Sequence, residues 1–402
     1  MKTISARTQT ILGLIGYLFI GTAAVLIPSV MPSITNEFTA TGLTLAAISL
    51  IFPARAVGGL LGNLLAGIGS DRLGRGRLVW LAALLLATSL ALAAWTGQWW
   101  PLLIAIAAIS GTQGALSTGI NALVADANPE TRARALNSLH GVYGIGAAIS
   151  PLVIGALLQD GLAWRWALGG SALIWLLYAV AAWWYSGESD PHEVKAKTAT
   201  PFWRMLRHGP FLALFFIAFA YNGVAWSLLG WIALFMQQSA GFSTVLSLSM
   251  ISVFYVALTV GRFLCAAFAE RAGYGRTLFV LAIGIAITYP LVVLSANPLV
   301  VAVGVFLTGL SLSGLFPMAL AFGTRLYPAQ AGAVSGVLSI AMTFGSMVPP
   351  LWTGIIADRW SFQTALGVNY VMVLPLIFIA LYLRWQEKGI VPSPQQAQVG
   401  SS

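Results

Sequence analysis

The second half of this chain repeats the first at a fixed offset of 199 residues. Pro129, Leu139, Gly146, Pro151, Leu152 and Gly155 recur as Pro328, Leu338, Gly345, Pro350, Leu351 and Gly354. The same offset carries Gly62, Asp71, Arg72, Gly74, Gly76 and Arg77 onto Gly261, Glu270, Arg271, Gly273, Gly275 and Arg276. One register serves two separate regions, which chance matches between glycines would not keep. Whatever the chain folds into must therefore contain two similar units in tandem.

The solvent of those units follows from charge. Only 8% of the 402 residues are charged and 58% are hydrophobic, whereas a soluble domain carries about 25% charged residues. The apolar runs last about 20 residues, too long for the alternating strands of a membrane barrel. The reading is an all-α membrane protein with twelve spans, near 10–32, 43–66, 78–97, 101–125, 136–158, 164–185, 209–236, 243–267, 277–296, 299–322, 333–356 and 365–384. The first run follows Lys2 and Arg7 but is too long for a signal peptide and lacks a convincing small-residue cleavage site, so it reads as a retained span. The one cysteine, Cys265, excludes an internal disulfide framework.

The formal charge of +9 is distributed as topology rather than as a nucleic-acid footprint. Of 20 Lys and Arg, only Arg165 and Arg359 lie in odd-numbered loops, while Arg55 and Arg262 fall within spans. The others occupy the termini and even-numbered loops, which places both ends and the 186–208 linker in the cytoplasm of a prokaryotic-type inner membrane. Trp99–Trp100 and Trp183–Trp184 stand at span ends, where amphipathic rings favour the interface. The expected organisation is a six-helix bundle over 1–185, the linker 186–208, a second bundle over 209–386 and a disordered tail 387–402.

Between spans 2 and 3 stands Gly67-x-x-x-Asp71-Arg72-x-Gly74-Arg75-x-Arg77, with a degraded copy around Glu270-Arg271-x-Gly273 after span 8. A carboxylate at a helix end can accept hydrogen bonds from the next helix's N-terminus and from an arginine across the loop, and glycine lets the turn close. This pattern resembles the loop signature of the major facilitator superfamily, which implies two pseudo-symmetric six-helix bundles and a gating role for Asp71, Arg72, Gly74, Arg75, Arg77, Glu270 and Arg271. Span 5 reads Leu136-Asn137-x-Leu139-His140-x-x-Tyr143-Gly144, span 7 opens with Tyr221-x-Gly223 and continues to Trp231, and span 10 contains Gly314-Leu315-Phe316-Pro317. Together these resemble the fucose–galactose–glucose:proton symporter family, and the resemblance implies sugar symport.

The departures bear on coupling. The acids that the family associates with proton coupling on spans 1 and 4 align with Ala24 and Ser117. A frequent glutamate of span 7 is Ala225, and the superfamily arginine of span 4 is Ser110. No acidic residue lies at the centre of a span, so no carboxylate relay is visible. Uncoupled transport or exchange then competes with coupling through His140, because imidazole is the side chain whose unperturbed pKa lies near neutrality.

The remaining polar groups inside spans are the candidate solute ligands. Arg55 should face a cavity or tie helices together through backbone carbonyls, because a central guanidinium is costly in lipid. Arg262, near a span end, reads as structural. His140 aligns with a glutamine that the resemblance associates with sugar binding, and Asn137 lies one turn away. Each could bond a hydroxyl or a neighbouring helix. Gln113 and Asn121 share a stripe of span 4, as ligands or as packing contacts. Tyr221, Asn222 and Trp226 combine hydrogen bonding with an aromatic platform, though aromatics also pack in cores and against lipid.

These features point to a secondary transporter for a small polar solute, a sugar foremost, needing no cofactor or metal and working as a monomer in the bilayer. Export of a drug-like metabolite is the alternative, weakened because Ser150-Pro151 and Gly155-Ala156 depart from the antiporter pattern. An organic anion would make best use of Arg55. An intramembrane enzyme would need a nucleophile or metal constellation, and the spans offer no such spacing.

Overall fold

The computed structural model describes residues 5–185 and 205–390. Among them, twelve helices are long and apolar enough to cross a membrane: α1 (Ala6–Ala40), α2 (Leu45–Gly67), α3 (Arg75–Trp95), α4 (Trp99–Ala127), α5 (Arg134–Gln159), α6 (Trp164–Tyr185), α7 (Gly209–Ala240), α8 (Thr244–Ala269), α9 (Tyr274–Leu294), α10 (Pro298–Leu326), α11 (Ala331–Arg359) and α12 (Phe362–Glu387). Lipid offers the backbone no hydrogen bonds, so each apolar run must satisfy its own amides as helix. Every predicted span has its helix. The largest boundary difference is α1, which continues to Ala40 with Pro28 and Pro32 inside it.

Three helices depart from regularity. α2 begins with a short turn, Leu45–Ile48, before the long stretch Ile51–Leu73. α10 divides into Pro298–Leu312 and Leu315–Leu326, just ahead of Phe316-Pro317, where proline withholds an amide. α12 divides into Phe362–Gly367 and Tyr370–Ile390, so helix extends past Glu387 into the stretch expected as tail. The remaining tail and most of the predicted linker lie outside the described residues.

The described residues group into two compact units. The first holds α1 to α6 together with Leu229–Val256 and Pro350–Phe362; the second holds the chain up to Leu228 of α7, Ala257–Pro349 and α12 from Gln363. The grouping differs from a cut at the linker because the odd-loop ends of α7, α8 and α11 pack on α2 and α5. In the first unit α1 packs on α4, α5 and α6, α2 on α4, and α3 on α4 and α6; in the second, α9 packs on α10 and α12.

The internal repeat extends to backbone conformation. Gly42 (φ 94) and Gly241 (φ 67) turn the chain into α2 and α8, and Gly74 (φ 79) and Gly273 (φ 87) turn it into α3 and α9. Each pair is separated by the same 199 residues. At the second pair helix stops and restarts across a single residue. Only glycine adopts that left-handed conformation at little cost.

Exposed aromatics mark both membrane levels. Trp95, Trp100, Trp166 and Trp360 stand at odd-loop ends, and Trp183, Trp184 and Trp385 at the opposite ends. Trp166 and Trp183 on α6 are about 26 Å apart along the axis at ~1.5 Å per residue, close to the hydrocarbon thickness. Arg165 on the odd-loop side is neutralised. It grips Glu37 with both nitrogens (2.5 and 2.6 Å) and bonds Thr96 O (3.2 Å), while Trp164 Nε1 donates to the same carboxylate at 2.8 Å. This bidentate pair ties α1, the α3 terminus and α6 together.

Candidate transport site and its gate

One face of α2 runs along a seam with helices of the other sequence half. Leu45, Ser49, Phe52 and Arg55 recur at the three- and four-residue steps that align side chains on a helix. The Leu45 amide donates to Asp358 Oδ1 of α11 at 2.9 Å. Ser49 presses on Gly354 so closely that a Cβ there would collide with it. The Phe52 ring packs on Trp231 of α7 at 5.4 Å between centroids, and Trp231 Nε1 donates to Pro350 O at 2.9 Å. Arg55 ends the series. Its Nη2 donates to Ala24 O of α1 at 3.2 Å, and the guanidinium lies within electrostatic reach of Tyr143 and Tyr255, whose rings meet at 6.4 Å. All these residues belong to the first unit. The seam thus joins α2 to α7 and α11 at the odd-loop end of that unit, and Arg55 takes the carbonyl tie foreseen as its structural role while keeping two phenols beside it.

A polar cluster lies deeper in the same unit. The Tyr17 hydroxyl is 2.9 Å from Ser117 Oγ and lies against Asn121. His140 stands edge-on to the Tyr17 ring at 5.6 Å. The structure therefore brings Asn121 and His140 together around a tyrosine that the sequence reading passed over. Gln113 Nε2 and Asn121 Oδ1 are buried with no hydrogen-bond partner among the described residues. Asn137 and His140 are exposed.

The second unit holds the other candidates. Tyr221 stacks on Phe316 at 6.3 Å and 19°, directly after the break in α10. Asn222 is buried and donates Nδ2 to Met342 O of α11 at 2.7 Å, so its amide already joins two helices. Trp226 is half-buried.

The two loop signatures are built differently. Asp71 and Arg72 fall in the last turns of helix before Gly74, and Glu270 near the end of α8; their side chains lie outside the description. Arg75 Nη1 donates to Ala122 O at 2.9 Å and pairs with Asp126 at the end of α4. In the second copy the carboxylate is Glu387, which accepts from the Tyr274 amide (2.9 Å) and the Gly275 amide (2.8 Å) at the start of α9. Arg77, Arg271 and Arg262 are exposed. Glu387, Asp358, Phe52, Tyr255 and Tyr17 were not singled out from sequence. Only Asp358 had a usable signal, since it repeats Gln159 at the common offset.

Comparison with known proteins agrees with this architecture. The family model of the Major Facilitator Superfamily matches residues 13–301 and 249–399. The chain is 23% identical over 392 residues to the glucose/mannose transporter GlcP of Bacillus subtilis (strain 168), covering 92% of this chain and 94% of that one. It is 28% identical over 250 residues to a hexuronate transporter of the same organism, covering 58% of each. In fold it is similar to a bacterial homologue of the human lysosomal transporter Spinster, in an inward-facing and unoccupied conformation (TM-score 0.80, 16% identity, 98% of this chain and 100% of that one). A structure of the nucleoside transporter NupG superposes with a TM-score of 0.74 at 12% identity, covering 94% and 99%. With twelve membrane-length helices and a family match over most of its length, the chain belongs to the Major Facilitator Superfamily of secondary transporters.

Proposed function

We propose that this protein carries a sugar across the cytoplasmic membrane by alternating access, with both termini in the cytoplasm and the seam along α2 as its closed outer gate. The observation that carries the solute class is the buried, unpartnered Asn121 Oδ1 on the residue beside the Tyr17 hydroxyl, with a second unpartnered atom, Gln113 Nε2, about two turns away on α4. Buried polar atoms without partners within membrane helices call for a water or a polar ligand, and the hydroxyls of a sugar can both donate and accept at such positions. The glucose/mannose relative supports this reading.

Arg55 favours a second reading, an acidic sugar whose carboxylate pairs with the guanidinium beside Tyr143 and Tyr255. The similarity to a hexuronate transporter supports it. Ligand-induced thermal stabilisation of the purified protein separates the two, using neutral hexoses, hexuronates and an amphipathic cation. The sugar reading expects a hexose to stabilise the parent and about tenfold weaker binding in Asn121→Leu, the equivalent of one lost buried hydrogen bond. Arg55→Gln should leave neutral hexose binding intact, and it should abolish hexuronate binding if the acidic reading holds. Stabilisation by the cation alone would overturn both.

A further inference from the structure

The seam along α2 has a counterpart on α8, and the two are related by the internal repeat. Thr44 caps α2 by accepting from the Ala47 amide (3.1 Å), and Ser243 caps α8 by accepting from the Leu246 amide (3.3 Å). Both donor and acceptor recur at the 199-residue offset. In each helix another first-turn amide is left to find a partner. Leu45 N donates to Asp358 Oδ1 at the end of α11 (2.9 Å), and Val245 N donates to Gln159 Oε1 at the end of α5 (3.2 Å). Gln159 and Asp358 are again one repeat apart. One turn inward, a Cβ at Gly354 would collide with Ser49 of α2, and one at Gly155 would sit 3.4 Å from Leu248 Cβ of α8. Those pairs, too, are related by the repeat.

From this arrangement we infer that Gln159 and Asp358 are positioning residues of the transport cycle, a reciprocal pair of latches that holds the odd-loop gate shut. Each sequence half lends a side-chain oxygen to the helix start of the other. Opening the gate removes that oxygen and leaves the amide to water, so the latches add stability to the closed state alone. Gly354 behind the Asp358 latch lets α11 approach α2 closely enough for that oxygen to reach. The two latches are unequal. Asp358 brings a charge and a shorter bond, so it holds more strongly than the neutral Gln159.

The inference rests on the alternating-access reading above, but its test needs no substrate. With Cys265→Ser as background, Ser49→Cys places a thiol behind the Asp358 latch, at a position fully buried in the closed state. The rate at which a bulky maleimide labels it in nanodiscs reports gate opening. Asp358→Ala should raise that rate about fivefold, as expected for one lost charge-assisted bond at an exposed site. Asp358→Asn, which keeps an acceptor, should raise it less. Gln159→Glu should lower it by strengthening the weaker latch. Gln159→Glu removes no contact, so it remains informative if Asp358→Ala fails to fold. Unchanged labelling in both Asp358→Asn and Gln159→Glu would overturn the assignment. Loss of sugar binding with these responses intact would instead count against the solute reading alone.

Discussion

The turn from α2 to α3 and the turn from α8 to α9 share a backbone and differ in chemistry. Gly74 and Gly273 take the same left-handed conformation at matching positions. Around them the charges are rearranged. Where the first half has Arg75 and Asp126, the second has Tyr274 and Arg325. The first turn is held by a cation inside the loop that reaches the end of α4, through Asp126 and Ala122 O. The second is held by Glu387, brought from the end of α12 to two amides at the start of α9. A repeat can thus keep its geometry through glycine while exchanging the groups that secure it, because a helix N-terminus and an arginine are both adequate partners for a carboxylate.

Glu387→Ala breaks the comparison most. Two backbone amides lose a half-buried carboxylate, which should cost about 2 kcal/mol and lower the unfolding midpoint in detergent by several degrees. Glu387→Gln should recover part of the loss. An unchanged midpoint in Glu387→Ala would mean that the two turns do not depend on their different anchors.

The glycines sharpen it. Gly74→Ala and Gly273→Ala should each cost about 1 kcal/mol for the left-handed backbone. Gly273→Ala should cost more, because its new Cβ would lie 3.1 Å from Glu387 Oε2. In a double-mutant cycle that excess should vanish on the Glu387→Ala background. Equal costs with no coupling would separate the glycine from its anchor.

Asp126→Asn should have the smallest effect, below about 1 kcal/mol, because the Asp126 side chain is nearly half open to solvent, which screens its pairing with Arg75. Destabilisation larger than that of Glu387→Ala would reverse the ranking.

The same contrast explains what could be read from sequence. Twelve spans were legible because lipid forces each apolar run into helix, and the first loop signature because its charges sit within a few residues of one another. The second anchor was hidden, since Glu387 lies 113 residues beyond Tyr274 and within a stretch expected to be disordered. Among the candidate site residues, Asn121 and His140 were legible as polar groups inside spans. Tyr17 was not, since a tyrosine in an apolar run looks like packing until its hydroxyl is seen against Ser117. Asn222 shows the converse: a polar residue at the expected place whose amide joins α7 to α11. Asp358 and Gln159 stood at span ends, where acids and amides are ordinary. Only their shared offset marked them.

The solute and its coupling meet in one measurement, uptake of a labelled hexose into proteoliposomes under an imposed pH gradient, in the parent and in His140→Gln. Glutamine keeps a hydrogen-bonding side chain at that position but cannot titrate. With no carboxylate at a span centre, saturable uptake that stops at equal concentrations, with or without the gradient and in both proteins, is the predicted result. Absence of saturable uptake for every hexose and hexuronate would contradict the sugar reading, and accumulation that His140→Gln abolishes would contradict the uncoupled mechanism.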